Sequence, residues 1–97
     1  MTASLKDLIF ATERELDSFV ENLKEFNELQ STIQRRIKNL AYNLTVGDSI
    51  RDKDCARMAD ALSEYQEISE EITDLEEKIR MAEEDLENLR EELAEEE

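Results

Sequence analysis

Apolar residues recur at alternating steps of four and three along almost the whole chain. In the first half the positions are Leu5, Ile9, Leu16, Phe19, Leu23, Phe26, Ile33, Ile37, Leu40 and Leu44, with Thr12 and Gln30 occupying two steps of the same series. In the second half they are Met58, Ala61, Tyr65, Ile68, Ile72, Leu75, Ile79, Ala82, Leu86, Leu89 and Leu93. This spacing keeps a single seam turned toward a partner helix in a left-handed supercoil. Between the two series lies Val46-Gly47-Asp48, with the only glycine of a chain that has no proline. A glycine just past a helix end supplies positive φ at the least cost.

The pattern therefore predicts one all-α domain, an antiparallel two-helix coiled-coil hairpin. Helix one is expected over about 4–44, the turn over about 45–48 and helix two over about 49–95. At ~1.5 Å per residue the arms are roughly 60 and 70 Å long. Ser4, three residues before Asp7, suits the cap of helix one, and Asp48 or Ser49 the cap of helix two.

Folding the chain at Gly47 brings the two seams together in a specific expected pairing. Leu40 then faces Cys55, Ile37 faces Met58, Gln30 faces Tyr65, Leu16 faces Ile79 and Leu5 faces Leu89. In this pairing Gln30 can bond the Tyr65 hydroxyl, and Thr12 can return its hydroxyl to its own helix. Cys55 packs as a small apolar group. The segment Arg90 to Glu97 overhangs the start of helix one and frays, because glutamates at a helix C-terminus oppose the helix dipole.

The apolar face is wider than one seam. Leu8, Val20, Leu29 and Leu62 sit on positions flanking it, which points to more than one neighbouring helix. The hairpin is accordingly expected to dimerise into a four-helix bundle. Phe10 and Met81 fall on outward positions and are expected to form a further contact patch near the open end. The expected partners are a second copy of the chain and another protein.

Composition narrows the functional classes. Of 97 residues, 40% are charged and 5% aromatic, which leaves little for a large globular core. The chain has no histidine and one cysteine, so the commonest general base and the Cys-rich zinc sites are missing. Asp48, Asp52 and Asp54 do not make a calcium loop, since Ala59 stands where a bidentate glutamate belongs and Lys53 where a glycine belongs. No phosphate-binding glycine loop or nucleophile constellation occurs. The expectation is a protein that is no enzyme and carries no metal or cofactor. No apolar run approaches a bilayer span, and Met1 to Lys6 lacks the features of a signal peptide. A cytoplasmic or intraviral location follows as an expectation.

The net charge of −15 is uneven. Residues 60–97 hold 17 acidic and 3 basic side chains, net −14, while residues 1–59 hold 10 acidic and 9 basic, net −1. Arg35, Arg36, Lys38, Arg51, Lys53 and Arg57 make the surroundings of the turn basic. Such acidity repels nucleic-acid backbones and anionic membranes, so direct binding to either is not expected. It also suggests an alternative function. Glu83, Glu84, Glu87 and Glu91 could imitate phosphates and occupy a basic groove on a target protein.

Overall fold

A computed structural model describes residues 4–46 and 52–96. Two helices account for nearly all of them: α1 over Leu5–Val46 and α2 over Asp52–Glu96. Among the described residues there is no strand, and no helix is long and apolar enough to cross a membrane. Residues 47–51 lie outside the described residues, and with them Gly47 and the expected cap of the second helix; of the expected turn, Thr45 and Val46 belong instead to α1, which runs two residues longer than expected.

The entry into α1 is built as its sequence suggests. The Asp7 amide donates to the Ser4 Oγ at 3.2 Å, and the Leu8 amide to the Ser4 carbonyl at 3.0 Å. Ser4 thus serves amide groups of the first turn that have no partner within the helix. Asp7 adds a negative charge at the end where the helix dipole favours it.

The chain forms two compact units. The terminal unit combines Met1–Lys24 with Thr73–Glu97, and the central unit is Glu25–Ile72. Each pairs a stretch of α1 with a stretch of α2. In the central unit the partners run oppositely: Gln30, Gln34 and Arg36 reach Ser69, Tyr65 and Glu64 in turn. In the terminal unit Glu13, near the start of α1, takes Arg90, near the end of α2.

The heptad seam is the covered face. Every described seam position on both helices is buried or half-buried, whereas nearly all other positions are exposed. Among the described residues the buried apolar ones are Ile33, Ala61 and Ile72 in the central unit and Leu75, Ala82 and Leu86 in the terminal unit. Thr12 returns its hydroxyl to the Leu8 carbonyl at 2.8 Å, which satisfies a polar group on the seam without a partner from α2.

The pairing along the seam differs from the expected one by about a turn. Tyr65 Oη accepts from Gln34 Nε2 at 3.2 Å, not from Gln30, whose own Nε2 donates to Ser69 Oγ at 3.1 Å. Hydrophobic matching could not choose between these arrangements, because sliding one seam past the other by three or four residues again sets apolar against apolar. The helix bounds supply the reason for the difference. Val46 and Asp52 are symmetric about residue 49, whereas the expected pairing is symmetric about a point between residues 47 and 48. Moving the centre by one and a half residues slides the helices by three.

Two further expectations are corrected, one by the heptad phase of α2 and one by the register. Cys55 is exposed, and half-buried Asp54 lies on the seam instead, four residues before Met58 where the step of four belongs. The end of α2 also overhangs less than expected, because Arg90 lies beside Glu13 rather than beyond Leu5. Leu93 is half-buried and the helix continues to Glu96.

Candidate interaction surfaces

All six residues singled out as contact residues are exposed: Leu8, Phe10, Val20, Leu29, Leu62 and Met81 have between 42% and 61% of their surface in solvent. The terminal unit carries Leu8, Phe10, Val20 and Met81, and the central unit Leu29 and Leu62. Their places on the heptad differ. Leu8 and Leu29 immediately precede seam residues Ile9 and Gln30, while Val20 and Leu62 immediately follow Phe19 and Ala61. The residue before the first seam position of a heptad and the residue after its second line the two opposite edges of the seam, and these are the places Leu8 and Leu29, and Val20 and Leu62, respectively occupy. Each unit therefore presents a large apolar side chain on both edges rather than a single continuous patch.

Phe10 and Met81, both in the terminal unit, have different neighbours. The Arg14 guanidinium lies over the Phe10 ring, 5.7 Å from its centre, one helical turn along α1. Met81 instead borders a small groove of about 280 Å³ with Thr12, Glu15, Phe19, Lys78, Ala82 and Asp85. Tyr42, 66% exposed, is a large exposed apolar residue that the sequence reading passed over. It falls on the outermost heptad position, where no seam or flank argument reaches it, and only its exposure reveals it.

A groove in the terminal unit gathers much of the acidic set. It encloses about 740 Å³ and is lined by Leu16, Leu86 and Ala94 together with Glu83, Glu87, Glu91 and Arg90. Glu83, Glu87 and Glu91 follow each other at steps of four, so their side chains form one row along α2. Arg90 is directed across to Glu13, at 3.5 Å. Glu84 stands apart, tied to Arg80 on its own helix at 3.2 Å. Three of the four expected acidic residues thus share a surface, and it has an apolar floor.

The central unit has a different groove, of about 430 Å³, lined by Arg36, Leu40, Arg57, Asp60 and Glu64. Arg36 and Glu64 form an ion pair across it, so at least this basic residue from the surroundings of the turn is compensated by an acidic partner, and Arg57 shares the groove with Asp60 and Glu64. The sequence assigns a net charge of −11 to the terminal unit, from 17 acidic and 6 basic residues, and −4 to the central unit, from 10 acidic and 6 basic.

Among known proteins, no family model, curated protein or solved structure matches this chain.

Proposed function

We propose that this chain is a non-enzymatic coiled-coil interaction module of the adaptor, assembly-factor or small-chaperone kind. In this reading it self-associates through the apolar edges of its helices into a four-helix bundle and engages another protein. The carrying observation is the amount of surface left open. The chain exposes 7709 Å², against about 5,700 Å² for a compact monomer of its mass. Leu8, Val20, Leu29 and Leu62 contribute to that excess on the edges that a bundle would cover.

Sedimentation equilibrium over a wide concentration range, in low and in moderate salt, tests this. A reversible dimer is expected, and the combined substitution Val20→Glu, Leu29→Glu and Leu62→Glu should shift it to monomer while helicity is retained. A well-folded monomer at every concentration would refute self-association.

The acidic-inhibitor reading draws support from the row of Glu83, Glu87 and Glu91. A phosphate mimic needs carboxylates and no hydrophobic floor, however, and Leu16 and Leu86 beneath the row favour a partner that brings apolar side chains of its own.

A further inference from the structure

We propose that the groove of the terminal unit receives a cationic amphipathic helix from a partner protein. This rests on the interaction-module reading and names the partner's chemistry for one of its surfaces.

The geometry argues from both halves of the groove. Leu16, Leu86 and Ala94 form a floor that water solvates poorly and that an apolar ridge would cover. Along one wall Glu83, Glu87 and Glu91 are spaced by one helical turn, so the row extends about 12 Å. A helix lying in the groove presents its own side chains at the same interval, every three or four residues. Its leucine-type residues would meet the floor while lysines or arginines beside them meet the carboxylates. Arg90, the cation in the lining, is already directed at Glu13 and leaves the wall acidic.

Charge also selects among occupants. Residues 83–97 hold nine acidic side chains and one basic, net −8. A second copy of this stretch would set glutamate against glutamate, and like charges at an interface select against a partner. A nucleic acid or an anionic membrane would be repelled in the same way. A basic helix is the occupant that satisfies floor and wall together.

The test uses the full chain and a synthetic peptide of leucines and lysines patterned as an amphipathic helix, followed by fluorescence anisotropy in moderate salt. An isomer of identical composition with the pattern scrambled serves as the comparison. The patterned peptide should bind, and the scrambled isomer should bind at least about tenfold more weakly, because it cannot bring its leucines to the floor together. Glu83→Gln, Glu87→Gln and Glu91→Gln combined should weaken binding about tenfold, in keeping with three exposed ion pairs of modest individual strength. Glu67→Gln, Glu70→Gln and Glu71→Gln combined change the net charge equally but lie in the central unit, and should leave binding nearly unchanged.

Equal binding of the two peptides, or equal losses in the two triple variants, would reduce the effect to bulk charge and overturn the proposal. Absence of binding would overturn it too. The sedimentation result separates the levels: a dimer that ignores the peptide defeats the groove while leaving the self-associating module standing.

Discussion

Replacing Ile33 by alanine tests whether the seam holds the central unit together. Ile33 is 4% exposed, and the change removes three carbons at about 0.8 kcal/mol each. A term for the incompletely collapsed cavity comes on top, for about 3 kcal/mol in all, inside the range usual for such truncations. Phe10→Ala is the matched control. It removes a larger side chain, but one that is 61% exposed. Its loss comprises a part-covered ring and an exposed contact with Arg14 worth about 0.5 kcal/mol, giving roughly 1 kcal/mol or less.

The assay is urea unfolding followed by far-ultraviolet circular dichroism, at several protein concentrations because a dimer makes apparent stability concentration-dependent. The midpoint should fall for Ile33→Ala at an unchanged slope, the sign of lost stability rather than a changed unfolded state. Similar costs for the two variants, or a cost below about 1 kcal/mol for Ile33→Ala, would refute the seam as the source of stability. A Phe10→Ala loss that grows with protein concentration would place Phe10 in a contact between copies.

The cap and the register yield two more expectations. Ser4→Ala should destabilise the chain by about 1 kcal/mol in the same urea assay, because the Asp7 amide loses its acceptor. A double-mutant cycle of Gln34→Ala with Tyr65→Phe should give a coupling of about 0.5 kcal/mol, whereas Gln30→Ala with Tyr65→Phe should give none. The reverse outcome would restore the pairing that the hydrophobic pattern suggests.

Much of the fold is legible because the coiled-coil signal is repeated many times over. Each seam residue restates the same 4-3 step, so an isolated exception such as Thr12 or Gln30 does not blur it. The Ser4 cap is equally readable, since it depends only on residues three apart on the same helix. Register is different in kind. It depends on how two distant stretches slide, and the hydrophobic term has nearly equal minima one turn apart. Polar pairs and the length of the connection decide it, and both are single events rather than repeated ones. Cys55 is misplaced in the expected pairing for a different reason, the heptad phase of α2 itself. Its apolar character draws it onto the seam when it is read alone, yet counting back by four from Met58 reaches Asp54.

The acidic surface was legible only in part, and the missing step was geometric. Four glutamates near the end of α2 suggest one surface when counted by charge, but each residue turns a helix by about 100°. Glu83, Glu87 and Glu91 stay in a row, and Glu84 rotates away to meet Arg80. That much could have been read from spacing. The floor could not, because it combines Leu16 of α1 with Leu86 of α2. In the expected pairing Leu16 faces Ile79, a full heptad earlier on α2. In the structure Leu16 and Leu86 line the same groove of the terminal unit, beside the row of carboxylates. An acidic helix face is by default only solvated. Here an apolar floor lies beside it, and floor and carboxylates together give the groove of the terminal unit its chemistry.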